Sequence, residues 1–569
     1  MSVAPALPDA VDLIVLGGGA TGLTAAVTGA LLGLEVLVVE KAPRVGGTSA
    51  RSAGSVWVPN TRHAPAGSDD PDKARRYLQA VLGDDYDPAL MTAFLQGGPE
   101  MIAFLEDRAG VPFRAYAHHP DYMADADGAS LSGRVLEVPP FDGRALGARF
   151  VDLAWPLPEF TIFGGMMVDR TDIGHLLSAT RRLASFMHAA RLLGRHARDR
   201  IRHARGTRLV MGNALVGRLF DAALRSGVRF ALSTRIESLL LDAGRVCGVR
   251  TGGGARRAIG ARAGVILATG GFSRDPALRA SLLPAQLGKD SALVETATGD
   301  GLHLAEAIGG HLRTHRTNTF WAPVSQRRRR DGSMAVFPHF VLDRGKPGVL
   351  AIDPAGKRFV NEAWPYHLFG QAICAALARH GGGRCHLICD DPFIERYGLG
   401  TVRPGRLGLR AAQADGYVIS ADSLEALAAR IAVPADALQA TVARFNRLAE
   451  SGEDVDFGKG GNAYQRNLGD AGHAPNPCLG PLASPPLHAL VIHPGDIGAS
   501  AGLACDTVAR VLDGQGDPVA GLYACGNDMA SVMAGHYPGP GITLGPGMTF
   551  AYIAARHAHD RQRAGAVAG

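Results

Sequence analysis

The sequence predicts an α/β fold: a parallel sheet built early in the chain, with a discontinuous second domain of α+β character inserted before the chain returns to it. Three observations predict this. An apolar strand, a glycine-rich turn, an Ala/Leu/Thr helix and a second apolar strand fill residues 11–40. Another apolar strand, residues 264–268, runs into Thr269-Gly270-Gly271. A third strand ends in Gly526-Asn527-Asp528, close to the C-terminus.

Residues 11–16 are a compact β-branched run bounded by glycines, the pattern of a strand buried on both faces. Residues 20–32 have helical length, and residues 35–39 form the next strand, ending at Glu40. This is the size of one βαβ unit. Helical patterns follow at 71–82, 88–108, 178–204 and 212–226. Strands are expected at 229–232, 236–241 and 246–250, the last two joined by a turn at Asp242-Ala243-Gly244. A mixed region spans about 311–490, and a last helix lies near 544–556. The expected division is residues 1–310 with 495–569 as one domain and 311–494 as the other.

The 569 residues suffice for two or three domains, and 46% hydrophobic with 20% charged residues is an ordinary globular balance. No run of about 20 apolar residues suggests a membrane span, and the first ten residues lack the pattern of a signal peptide. Seven scattered cysteines form no CxxC, so no metal site is expected, and reduced thiols in a cytoplasmic protein are the expectation. The net charge of +6 is local: residues 178–209 hold nine arginines and one acid, Asp199. Their apolar residues, including Leu183, Phe186, Met187, Leu193 and Ile201, recur at three- or four-residue steps. Such a basic amphipathic helix either lies on an anionic membrane surface or packs its apolar stripe on the protein. Arg327 to Arg330 read as a solvated loop. With no nucleic-acid-binding motif or aromatic platform beside the charge, nucleic acid is not an expected partner.

Gly17-Gly18-Gly19-Ala20-Thr21-Gly22 matches G-x-G-x-x-G in the context it requires, after a strand and opening a helix. Gly17 permits the tight turn, Gly19 a close approach to a pyrophosphate at the helix N-terminus, and Gly22 close helix–strand packing. Glu40 can accept ribose hydroxyls. Beyond it, Lys41 leads into a second glycine turn, Gly46-Gly47-Thr48-Ser49, and Thr298-Gly299-Asp300-Gly301 opens another helix. A further cluster, Gly521-Leu522-Tyr523-Ala524-Cys525-Gly526-Asn527-Asp528, ends a strand near the C-terminus, and these three clusters in this order after the first motif point to a large dinucleotide, FAD rather than NAD, on a Rossmann-type domain.

At these residues, and at Lys357-Arg358-Phe359-Val360-Asn361-Glu362, the chain resembles the FAD enzymes that include fumarate reductase and succinate dehydrogenase flavoproteins and 3-ketosteroid dehydrogenases. Gly526 and Asn527 of the third cluster join the cofactor contacts, and the resemblance adds Ala268, Gly270 and Leu544. Tyr366 stands where fumarate reductases have an arginine acid, their histidine-rich clamp is absent from 495–502, and Ser49-Ala50-Arg51-Ser52 has no histidine for covalent attachment. Non-covalent FAD and a non-dicarboxylate substrate follow.

Pro120-Asp121-Tyr122, Asn361-Glu362-Ala363-Trp364-Pro365-Tyr366 and Tyr537-Pro538-Gly539-Pro540-Gly541 resemble three segments of the 3-ketosteroid Δ1-dehydrogenases. The resemblance implies α,β-desaturation of a ketone, a 3-ketosteroid first. Tyr366 would take the α-proton, the flavin would take the β-hydride, Tyr537 and the Gly541 amide would polarise the carbonyl, and Tyr122 would hydrogen-bond to the base. Δ4-(5α)-dehydrogenation and a small cyclic ketone stay open, because residues 542–546 differ from some steroid enzymes. The electron acceptor is open, with a quinone-like molecule one candidate. Trp57, Phe320, Trp321 and Trp364 are candidates to line an apolar pocket.

Overall fold

The computed structural model describes residues 7–568, except 254–255, 289–290, 330 and 341–342. The first strand, β1 (Ala10–Leu16), is buried from Val11 onward. Its side chains cannot alternate between core and solvent, so it can only be central. It lies between β2 (Val36–Val39) and Ala258–Leu267, parallel to both, and Arg229–Ala231 extends the sheet beyond β2. Pro518–Ala524 pairs in parallel with the end of Ala258–Leu267, matching Val265–Leu267 to Leu522–Ala524. The C-terminal strand thus returns to the first sheet, as the sequence predicts. Ile236–Asp242 and Arg245–Thr251 form the expected hairpin, laid antiparallel on the other end of Ala258–Leu267.

A second, six-stranded sheet is antiparallel throughout. Its order is Met334–Pro338, Thr319–Arg328, Leu487–Ala499, Cys385–Asp390 and Val349–Ile352, with Ile419–Ala421 also on Leu487–Ala499. The helix Tyr366–Arg379 packs on this sheet, and the last helix, Leu544–Ala568, packs on the helix Ala20–Leu31 of the first.

Two expectations are corrected here. Arg327 and Arg328 belong to the strand Thr319–Arg328 rather than a loop; Arg327 pairs with Asp415 and Arg329 with Glu159, while Arg330 lies outside the described residues. The basic segment is not one helix from 178. Arg170–Leu177 is a separate helix, capped at Asp169, and Leu183–Arg202 follows it. On that second helix Ser185, Ala189, Leu192, His196 and Asp199 are buried. The apolar stripe faces outward instead: Leu183 and Ile201 are each 79% exposed and Phe186 is 56% exposed. Three of the nine arginines are tied to the protein. Arg205 is buried against Phe150 and Asn213, Arg195 pairs with Asp142, and Arg208 pairs with Asp169 and Asp172. The other six are exposed. All seven cysteines are free, and among the described residues no cluster of side chains could hold a metal. No helix of the described residues is long and apolar enough to cross a membrane.

Candidate active site

The turn after β1 is fixed by contacts that only glycine permits. Gly17 has φ +111°, and a Cβ there would stand 2.1 Å from the Ala268 carbonyl oxygen. A Cβ on Gly22 would stand 2.0 Å from the Gly17 oxygen, so Gly22 sets the helix against the turn, as expected. Gly19 caps the helix Ala20–Leu31 without a capping side chain of its own. Ser49 Oγ accepts from the Ala20 N–H at 3.2 Å.

Glu40 is buried at the end of β2, and burial raises its carboxyl. Its two oxygens each already accept a main-chain N–H at 2.8 Å, from Gly18 and from Ala42. The carboxylate therefore holds the glycine turn as well as facing the cavity with its remaining lone pairs. Lys41 pairs with Asp300 at 2.8 Å and donates to Thr298 Oγ1, which ties the second glycine turn to the helix Asp300–Glu306. Asp528 is buried and accepts from the Thr269 and Gly271 amides, joining the C-terminal loop to the turn after Ala258–Leu267.

One cavity of about 1130 Å³ runs past all of these loops. Its wall includes Gly17, Gly19, Thr21, Glu40, Lys41, Gly47, Thr48, Ser49, Ala268, Gly270, Asp300, Gly526, Asn527 and Leu544. Ala20, Gly22 and Gly46 stand behind it: they shape the turns rather than face the space. A Cβ at Gly47 or Gly270 would meet nothing within 4 Å, so the backbone there is open to a ligand. The residues fit an extended dinucleotide, with a glycine-capped helix N-terminus at one end of a long groove. Arg51, Thr234 and Val294 also line it and carried no motif of their own.

The same cavity reaches Tyr122, Tyr366, Tyr537 and Gly541. Tyr366 is the first residue of the helix Tyr366–Arg379, delivered by Pro365. The Tyr122 N–H donates to the Pro538 carbonyl at 2.9 Å, so the segments of Tyr122 and Tyr537 are bonded directly. Asp121, one residue earlier, accepts from Trp57 Nε1 and pairs with buried Arg134, fixing that loop. Gly541 has φ +95°, and a Cβ would stand 2.4 Å from the Ser55 oxygen.

Three loops distant in sequence therefore bring the tyrosine rings together. The centroids of Tyr122 and Tyr366 are 5.5 Å apart, those of Tyr366 and Tyr537 5.1 Å, and those of Tyr122 and Tyr537 5.8 Å. The hydroxyls of Tyr122 and Tyr537 lie near enough to that of Tyr366 to influence its proton. Burial holds the protons on: Tyr122 and Tyr366 are pushed well above the ordinary phenol value, and Tyr537 is pushed to about 12. A fourth, Tyr464, was not foreseen. Its ring lies 4.7 Å from that of Tyr122, and no local pattern around it signals the contact.

The pocket aromatics differ from the expected set. Trp57, Phe320, Trp321 and Trp364 do not line the large cavity; Phe160, Phe163, Phe337 and Phe340 do. Trp57 is fully buried, and Phe320 packs edge-on against Tyr537.

Known proteins resemble this chain over nearly its whole length. The family described as "FAD binding domain" matches residues 12–544. A 4-oxocyclohex-2-ene-1-carboxylate 5-dehydrogenase of Sinomonas cyclohexanicum is 37% identical over 96% of this chain and 93% of its own. A 3-oxosteroid 1-dehydrogenase of Mycobacterium tuberculosis is 36% identical over 97% of this chain and 98% of its own. The crystal structure of 3-ketosteroid delta1-dehydrogenase from Sterolibacterium denitrificans, in complex with 1,4-androstadiene-3,17-dione, superposes with a TM-score of 0.90. It is 34% identical and covers 97% of this chain and all of its own. The chain is an FAD-dependent oxidoreductase and belongs to the FAD-binding flavoprotein family that includes the 3-oxosteroid 1-dehydrogenases.

Proposed function

We propose that this chain desaturates a ketone next to its carbonyl, by 1,2-dehydrogenation of a 3-ketosteroid. One observation carries the reading: three buried tyrosines, their ring centroids 5.1, 5.5 and 5.8 Å apart, and a positive-φ glycine share the wall of a cavity that is continuous with the dinucleotide loops. FAD, when bound, supplies the acceptor for the hydride. The chain's residues handle the proton and the carbonyl. Tyr537 O–H and the Gly541 N–H polarise the carbonyl oxygen without a formal charge, which suits an apolar site. Tyr366, as the phenolate, receives the α-proton and becomes neutral, and a hydrogen bond from Tyr122 spreads the phenolate's charge before that transfer. Residues 1–310 and 495–569 serve the cofactor, and 311–494 supply Tyr366.

The cavity's cations support an apolar substrate. Lys41, Arg51 and Arg114 each pair with an acid, respectively Asp300, Glu295 and Glu137, and Arg403 donates to the Thr161 carbonyl. A substrate carboxylate would have to displace one of these. The similarity to the Sinomonas enzyme favours a small cyclic keto acid as the second reading. Incubation of the holoenzyme with an artificial electron acceptor and either a 3-keto-4-ene steroid or 4-oxocyclohexanecarboxylate decides between them. Loss of two hydrogens from the steroid alone is expected; loss from the keto acid alone would overturn the substrate assignment.

The outward stripe of Leu183, Phe186 and Ile201, flanked by exposed Arg182, Arg198 and Arg202, supports peripheral contact with an anionic membrane, where an apolar steroid would be dissolved. Ile173 and Leu176, on the adjoining helix, line the cavity, so a surface-bound insertion would lie at its mouth.

A further inference from the structure

A tyrosine in an apolar pocket keeps its proton, yet the reaction proposed above needs Tyr366 to accept one. Something must favour the ionised form. The groups that face Tyr366 are Tyr122, Tyr537 and the Phe340 ring, whose centroid is 4.8 Å away. Tyr464 and Tyr537 face Tyr122, and His367, uncharged through burial, stacks on Tyr537. Asp121, beside Tyr122, is committed to Arg134 and Trp57. None of these is a free cation.

Arg344 is. It is fully buried, among the largest such side chains of the protein. Its guanidinium donates to four main-chain carbonyls: His339 at 2.7 Å, Phe340 at 2.8 Å, Glu362 at 2.7 Å and Trp364 at 2.6 Å. No carboxylate of the described residues lies within ion-pair distance of it. The adjacent acid, Asp343, is bonded to His339 at 2.6 Å and accepts the Gly400 and Arg344 backbone N–H groups, and the Arg344 guanidinium makes no hydrogen bond to it. Burying an arginine on carbonyl oxygens with no direct ion pair, its charge offset only by the neighbouring Asp343 carboxylate, is a costly arrangement. Two of those carbonyls belong to the segment that delivers Tyr366, and a third belongs to Phe340, which packs on it. The guanidinium also faces the Tyr464 hydroxyl, which finds no other partner among the described residues.

We propose that Arg344 is a positioning residue for the proposed reaction: it fixes the loop that presents Tyr366 and keeps a positive charge, held by no direct ion pair, beside the tyrosine cluster, favouring the ionised phenol. This rests on Tyr366 being the base. The direction of the electrostatic interaction agrees, since the cation lowers the proton affinity of both Tyr122 and Tyr464 against the effect of burial.

The test is the pH profile of kcat/KM for the wild-type holoenzyme and for R344K, R344Q and R344M, each first checked for retained flavin absorbance. Tyr366→Phe is assayed beside them. In R344M the rising limb is expected to move up by more than about one pH unit, with turnover at neutral pH down about tenfold or more. R344K, which keeps the charge, should hold the limb near the wild-type position even if its kcat falls. Should R344M lose flavin, R344Q against R344K gives the same comparison. A loss of kcat in the neutral variants with the limb unmoved would make Arg344 merely structural and overturn the proposal. Turnover that survives Tyr366→Phe would overturn the base assignment itself, a different outcome from a failure confined to Arg344.

Discussion

Tyr366 stands at the first turn of a helix, where Pro365 sets the chain direction and two other tyrosines meet its hydroxyl. Removing that hydroxyl removes the proposed proton acceptor and little packing. Tyr366→Phe is expected to keep bound flavin and lose turnover by about 10³-fold, within the range for a general base; stopped-flow reduction of the flavin checks it. Tyr537→Phe removes one of two carbonyl donors and should cost about 10²-fold in kcat, with KM less changed. At this scale the sequence was legible wherever a motif surrounded the residue. Tyr122, Tyr366, Tyr537 and Gly541 all lie in short segments with a recognisable pattern, and all face one cavity. Tyr464 and Arg344 carry no such pattern. They join the cluster only through the folding of loops far apart in sequence, which no local spacing encodes. The tryptophans misled for the opposite reason: size makes an aromatic buried but does not say whether it faces a core or a ligand.

At the scale of elements, the glycine turns were legible because each rests on a steric requirement. Gly22→Ala would drive a Cβ into the Gly17 carbonyl and push the helix off the turn. It is expected to yield protein with little flavin, read from the ratio of visible to 280 nm absorbance; full flavin content would contradict the fit. The basic helix was legible as amphipathic, but its orientation was not. A three- or four-residue period shows that two faces exist and leaves open which one meets the protein. Here a face of Ser185, Ala189, Leu192, His196 and Asp199 is the inner one. Replacing Leu183, Phe186 and Ile201 together with serine should abolish sedimentation with phosphatidylglycerol vesicles while leaving turnover of a detergent-dispersed steroid near wild type. Vesicle binding that survives the triple substitution would contradict membrane contact through this helix. Deleting the whole segment would be a poorer test, because Arg205 and Arg208 hold buried partners.

Over the whole molecule, a parallel sheet carries the dinucleotide turns and an antiparallel sheet carries the helix that begins with Tyr366. The returning C-terminal strand was foreseen because its glycine-rich end repeats the logic of the first turn. The antiparallel order of the second sheet was not, since its strands pair across long, mixed connections. That sheet also contributes a pH dependence. Burial holds His386, on the strand Cys385–Asp390, at about 4. The unfolded chain binds a proton there near pH 6.5 and the folded chain does not, so stability falls as pH drops from about 6.5 toward 4. In a His386→Gln variant the loss of Tm between pH 7 and pH 5 should be smaller than in wild type by roughly 2 °C. Differential scanning calorimetry on both proteins measures it, and identical slopes would show that His386 does not contribute.

The central claim, ketone desaturation through the tyrosine cluster, is tested most directly by anaerobic stopped-flow bleaching of the flavin band near 450 nm. The holoenzyme is mixed with a 3-keto-4-ene steroid, with 4-oxocyclohexanecarboxylate and with succinate in parallel. Rapid bleaching by the steroid, absent in Tyr366→Phe, is the predicted result. Bleaching by succinate, or undiminished bleaching by the steroid in Tyr366→Phe, would contradict it.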